Sequence, residues 1–207
     1  LGEFGFLADD PVLLAGSTHG GEEEILAEAL RLLRGEFPAA RLLVAPRHIE
    51  RTGDIVARLQ HSGFRVARRT AAPDGIAPDI MILDTTGELR DWYACADVVF
   101  IGKSLRGTGG QNPVEAILAG RPVLFGPHME NFSTLRDALL AAEGAVEVDG
   151  AVSLARETAR LFAAPADRAR LAAGARQALQ PHQGATARTA DLVERAVMGS
   201  DSLHRHM

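Results

Sequence analysis

Cysteine is nearly missing from this sequence: Cys95 is the only one in 207 residues. An intramolecular disulfide is therefore excluded, and no cluster of His, Cys, Asp and Glu shows metal-ligand spacing. Set in Trp92-Tyr-Ala-Cys-Ala96, the thiol reads as a small buried side chain and not as a nucleophile. An excess of positive charge is missing too. The formal net charge is −5 and the pI about 5.8, which argues against bulk electrostatic binding to nucleic acid and leaves room only for a local basic pocket. No apolar run approaches the roughly 20 residues that a membrane-spanning helix needs, and no signal peptide is visible. The chain starts at Leu1 and not at Met, as a fragment would, so targeting or anchoring segments of a longer protein would lie outside it.

Several chemical signatures are absent as well. There is no Gly-x-x-x-x-Gly-Lys-Ser/Thr phosphate loop and no Gly-x-Gly-x-x-Gly after the first strand, which disfavours a P-loop NTPase and an ordinary nicotinamide enzyme. Without Gly-x-Ser-x-Gly, a serine hydrolase has no local support. What is there is ordinary globular material, 46% hydrophobic and 24% charged, long enough for one large domain or two small ones. Arginine greatly outnumbers lysine, a bias that suits bidentate phosphate contacts or simply follows genomic base composition.

Hydrophobic runs and helical patterns alternate along the chain. Residues 1–10, with two glycines among Phe4, Phe6 and Leu7, read as a connecting segment. Strands are expected at 11–15, 41–45, 64–67, 80–83, 96–101, 120–125 and 145–148, and helices follow most of them. The remainder is mainly helical, punctuated by Pro165, Gly174 and Pro181, and 199–207 read as a frayed tail. The expected division is thus a linker at 1–10, one domain at 11–198 and the tail. Right-handed crossovers between such strands build a parallel sheet covered by helices on both faces, with ligands at the carboxyl ends of the strands.

The distinctive polar residues fall at those ends. The longest such stretch is Gly102-Lys-Ser-Leu-Arg-Gly-Thr-Gly-Gly-Gln-Asn-Pro-Val-Glu115, a glycine-rich loop leading from a buried strand into a helix start. Asn112 suits the N-cap, Pro113 the first helical position, and Glu115 the reciprocal place in a capping box. Free N–H groups and the helix dipole would favour an anion there, most simply a nucleotide phosphate; a plain capped turn explains the stretch equally well. Ser17 and Thr18 can donate to a phosphate or merely cap the acidic helix that begins at Glu22, and His19 can add a proton or a hydrogen bond. Arg47 can clamp an anion or form a surface ion pair, with His48 beside it. Gly87 and Glu88 stand at another helix start, where Thr85 or Thr86 can cap. Lys103 and Arg106 bring positive charge, and His128 follows a strand.

Taken together, Ala15-Gly-Ser-Thr-His with Glu22-Glu-Glu24, Pro46-Arg-His48, Asp84-Thr-Thr-Gly-Glu-Leu89, Gly109-Gly-Gln-Asn-Pro-Val-Glu115 and Pro122-Val-Leu-Phe-Gly-Pro-His128 with Asn131-Phe132 resemble the C-terminal half of 3-deoxy-D-manno-octulosonic acid (Kdo) transferases. The match runs in order over most of the first 150 residues. It implies a Rossmann-like parallel sheet with helices on both faces, one half of a GT-B glycosyltransferase, binding CMP-Kdo as donor without a cofactor or metal. By resemblance, Pro46 and Arg47 meet the cytidine, Thr86, Gly87 and Glu88 present backbone to CMP, and Asn112 and Glu115 complete the pocket, Glu115 on the ribose. Ser17, Thr18, His19, His48, Lys103, Gly109, Gly110 and Gln111 would form the rim. The resemblance also implies inverting transfer to lipid A precursor by a glutamate base in an N-terminal half that is not in this chain. It places the whole protein at the cytoplasmic face of the bacterial inner membrane.

This chain departs from the family pattern at Gly20, usually Glu, at 83–88, where Gly-Asp-Thr-Met-Gly-Glu is usual, at Gln111, often His, and at Gly5, where a lysine commonly stands. Two other readings compete: a GT-B enzyme using a UDP-sugar, and a noncatalytic nucleotide-binding module.

Overall fold

A computed structural model describes residues 1–71 and 75–180. The expected tail at 199–207, the end of the expected domain and Pro181 lie outside the described residues. Seven strands are present among them: β1 Val12–Thr18, β2 Arg41–Pro46, β3 Val66–Arg68, β4 Ile80–Ile82, β5 Val98–Ile101, β6 Val123–Phe125 and β7 Ala145–Glu147. They form one sheet in the order β3-β4-β2-β1-β5-β6-β7, with every neighbouring pair parallel. The helices are α1 Glu22–Leu33, α2 Thr52–His61, α3 Leu89–Tyr93, α4 Val114–Leu118, α5 Ser133–Ala141, α6 Ala151–Ala163 and α7 Pro165–Leu179.

The central strands are apolar on both faces because both faces are covered, as parallel sheets require. Leu13 and Ala15 of β1 join Leu42, Val44, Val98 and Phe100 beneath Leu26, Leu30 and Leu33 of α1, Ile55 and Leu59 of α2, and Leu154 and Leu161 of α6. Their alternates Val12 and Leu14 join Leu43, Val99, Ile101 and Phe125 against Tyr93 of α3, Ile117 of α4, Leu139 of α5 and Ala175 of α7. Phe100 and Phe125 are fully buried, each contributing about 1.5–3 kcal/mol by removal from water.

Two expectations change. Gly174 does not interrupt the last helical stretch; it lies inside α7, where a Cβ would come within 2.4 Å of the Ala142 carbonyl, so its smallness serves close packing on the end of α5. Pro165 does divide the stretch, opening α7 at a position where its missing N–H costs nothing. Cys95 is exposed, not buried, because α3 ends before it and the chain turns toward β5 at the surface.

Residues 1–10, expected as a linker, lie packed on the body. Phe4 and Phe6 are buried, Arg41 at the start of β2 stacks on Phe6 at 6.0 Å, and Asp10 pairs with Arg41 at 3.1 Å. These contacts hold the segment along the amino-terminal edge of the sheet. Gly5 belongs to that edge: it has φ of 77°, and a Cβ on it would meet the Ala77 N–H at 2.7 Å.

Candidate functional site

The chain moves outward from β1 through β2 to β4 and β3, and in the other direction from β5 through β6 to β7. The loops after β1 and β5 therefore diverge and leave a crevice at the carboxyl edge between two adjacent strands, the usual ligand position in such sheets. Gly102 lines its floor, where a side chain would collide with the Ser17 carbonyl at 2.4 Å. Ser17 and Lys103 both take positive φ, 58° each, a conformation that non-glycine residues hold only when surroundings fix it.

Glu22 holds Lys103 directly and, through the main chain of His19, the loop that carries Ser17. Its carboxylate is fully buried and accepts four backbone N–H groups: Lys103 at 2.7 Å and His19 at 2.9 Å on one oxygen, Ser104 at 2.9 Å and Leu105 at 3.0 Å on the other. One carboxylate thus fastens the β1 loop to the β5 loop, and its place in the first turn of α1 adds the favourable helix dipole. The glycine-rich loop receives a second carboxylate further on, where Glu130 accepts the Gly109 N–H at 2.5 Å. Its own backbone N–H and that of Gly109, with a lesser part from His128, hold the Glu130 pKa below its usual value. Gly109 and Gly110 are buried, and a Cβ on either would strike Asn131 or Met129. These glycines allow one loop to pack on another. The anion expected at Lys103–Leu105 and at Gly109 is supplied largely by the protein itself.

The other rim residues divide sharply. Thr18 is buried, and its hydroxyl donates to Glu23 at 2.8 Å, so it has no free donor for a phosphate. Nor do Ser17 and Thr18 cap α1, whose N-cap is Gly21. Glu23, also buried, pairs with Arg51 at 3.1 Å, and the Arg51 Nη1 is buried without a partner. Gly20 lies beside that guanidinium, 3.6 Å from an added Cβ. His19 is half-buried, with Nδ1 3.2 Å from the Ser17 carbonyl and its ring edge-on to His48 at 5.6 Å. Burial lowers its pKa, helped by Lys103 and His48 and opposed by Ser17 and Glu22.

Pro46 ends β2, and Arg47 follows with its N–H on the Thr18 carbonyl; its exposed guanidinium makes no ion pair among the described residues. Thr86 and Gly87 are exposed, Gly87 at φ 84°. Neither threonine caps α3: Thr85 donates to the Glu88 carboxylate at 2.8 Å instead. On α4, Asn112 accepts the Val114 N–H at 3.0 Å, but the expected capping box does not close. The exposed Glu115 carboxylate does not return to Asn112 and has no hydrogen-bond or ion-pair partner among the described residues. It borders a groove of about 450 Å³ between α3 and α4. Gln111 and His128 are half-buried, and His128 has Nδ1 3.2 Å from Glu130.

Arg47, Gly87, Glu88 and Asn112 therefore stand on loops that follow strands at one edge of the sheet, and Glu115 in the first turn of α4 beside them. Glu22, Glu23 and Glu130, the carboxylates that hold that edge together, are not among the site residues expected from sequence: Glu22 and Glu23 enter there only as an acidic first turn and as part of the family-like motifs, and nothing marks Glu130.

A seven-stranded parallel sheet of this order, with helices on both faces and a crevice at the switch point, has the architecture of one half of a GT-B glycosyltransferase. The fold is shared with the C-terminal domain of a glycosyl transferase group 1 family protein, LpcC, from Francisella tularensis, at a TM-score of 0.57 and 15% identity over 83% of this chain and 85% of that one. No family model matches the chain. Its sequence is 38% identical over 189 residues to the 3-deoxy-D-manno-octulosonic acid transferase of Bordetella pertussis, covering 89% of this chain and 44% of that protein. It is also similar to the C-terminal CMP-Kdo binding domain of WaaA from Acinetobacter baumannii, with a TM-score of 0.78 and 28% identity over 85% of this chain and 92% of that domain. The chain belongs to the Kdo transferase family and matches its C-terminal domain. It spans less than half the length of the Bordetella relative.

Proposed function

We propose that this chain is the donor-binding half of an inverting glycosyltransferase that moves Kdo from CMP-Kdo to lipid A precursor in lipopolysaccharide biosynthesis. The observation that carries this reading is its likeness to nearly the whole of the Acinetobacter CMP-Kdo binding domain, at 28% identity. In the proposed complex Arg47, with Pro46, meets the cytidine, main chain at Thr86, Gly87 and Glu88 faces CMP, and Asn112 and Glu115 close the pocket on the ribose. His19, His48, Lys103 and Gln111 form the rim. Fixed positive groups and N–H dipoles would stabilise the phosphate as it leaves. Inverting transfer also needs a base held against the acceptor hydroxyl, which we assign to an N-terminal half that binds the lipid at the cytoplasmic face of the inner membrane.

Thermal shift and calorimetry with CMP, CMP-Kdo, UMP and UDP test the donor. CMP and CMP-Kdo should stabilise the chain, by about 2.7 kcal/mol at a hundred times Kd, and UMP and UDP should do so far less. A response to UDP alone would favour a UDP-sugar enzyme, and no response to any nucleotide would favour a noncatalytic module. The chain alone should give no Kdo-bearing product from CMP-Kdo and lipid A precursor by mass spectrometry; product above the no-protein rate would refute the division of labour.

A further inference from the structure

Tyr93, the only tyrosine in the chain, ends α3 with its ring in the core between α3 and the sheet and only 2% of its surface exposed. The ring reaches the crevice: a Cβ added at Gly16, near the carboxyl end of β1, would lie 2.8 Å from the Tyr93 hydroxyl oxygen. Phenols this far inside ordinarily have a hydrogen-bond partner; this hydroxyl has none among the described residues and, unlike the unpaired hydroxyls of Thr52 and Thr158, is not sealed from solvent. Packing explains the ring and leaves the hydroxyl unexplained, since phenylalanine would fill the same space.

Glu115 stands on α4, which packs against α3; its charge adds to burial in raising the phenol pKa, so the group is a neutral donor at physiological pH. Glu115 is itself unpartnered. Tyr93 and Glu115 thus stand on two packed helices, one a donor and the other an acceptor, and neither side chain has a hydrogen-bond partner among the described residues. A phosphate oxygen could accept from Tyr93 but would be repelled by the carboxylate. A hydroxyl suits both, accepting from the phenol and donating to Glu115.

We propose that Tyr93 is a ligand-binding residue whose hydroxyl, paired with Glu115, holds one ribose hydroxyl of the bound nucleotide. This rests on the nucleotide-binding reading above. The test is calorimetry of the chain and its Tyr93→Phe variant with CMP, 2′-deoxy-CMP and 3′-deoxy-CMP, with melting followed in parallel. The variant should bind CMP about tenfold more weakly at nearly unchanged Tm, and should lose nothing against the deoxynucleotide that lacks the bridging hydroxyl. Equal CMP affinity in variant and parent would overturn the proposal, as would the same loss against all three nucleotides. If the parent binds no CMP, the nucleotide reading fails as well, which is a different result from a parent that binds and a variant that matches it. A second measurement needs no variant: with tyrosine labelled at ¹³Cζ the parent gives a single resonance, which must move on CMP binding, and a stationary signal at saturation would overturn the assignment.

Discussion

The glycine-rich loop after β5 and the loops beside it occupy the same edge of the sheet but treat their polar groups in opposite ways. From Lys103 to Leu105 the main-chain donors turn inward to Glu22, and Gly109 turns to Glu130. Arg47 and Glu115 keep charged ends with no ion-pair partner among the described residues. Glycines and free N–H groups in a sequence thus mark a place where an anion is needed without saying whose anion it is. The braced centre sets the shape of the crevice, and the flanks are left open for the proposed ligand.

Removing the brace should produce the largest effect. Glu22→Ala leaves four N–H groups without their acceptor and removes the bond that holds Lys103 at positive φ, so it should destabilise the chain by about 3 kcal/mol or more in denaturant unfolding. A loss below about 1 kcal/mol would mean that the centre is not braced as described. Glu115→Ala should do the reverse. Because this carboxylate closes no capping box, stability should change by less than about 0.5 kcal/mol, while CMP affinity should fall about tenfold. Unchanged affinity in the folded variant would remove Glu115 from the site, and a large stability loss would show a structural role that its exposed position does not suggest.

The alternation of elements was legible because each strand of this sheet is apolar on both faces and each helix on one. Legibility stopped where a side chain acts at long range. Glu22 and the Lys103–Leu105 loop are about eighty residues apart, and no local pattern tells a carboxylate that favours a helix dipole from one that also fills a distant loop. Gly174 misled for a related reason: glycine reads as a helix stop, but here its contact with Ala142 decides its use. Thr18 and Thr85 looked like caps and instead serve the glutamates Glu23 and Glu88. The departure at Gly5 became interpretable only from the fold. It lies at the amino-terminal edge, with no route within this domain to the crevice at the opposite edge.

His19 sits on the boundary between braced centre and open flank, and it should give the smallest effect. Its main chain belongs to the Glu22 brace, while its ring is half-buried beside His48. Burial lowers its pKa from 6.5, and nearby Lys103 and His48 act in the same sense. Between that lowered value and 6.5 the unfolded chain holds more proton than the folded one. His19 therefore contributes stability above pH 6.5 that is lost as pH falls through its folded pKa. Nuclear magnetic resonance should find a midpoint below 6.5, and His19→Gln should remove the corresponding slope from stability against pH. A midpoint at or above 6.5 would contradict the burial. CMP decides on which side of the boundary the ring functions: phosphate close to it favours the protonated form and must raise the midpoint, whereas a midpoint that stays put at saturating CMP assigns the ring to the scaffold and leaves the open flank to Arg47 and Glu115.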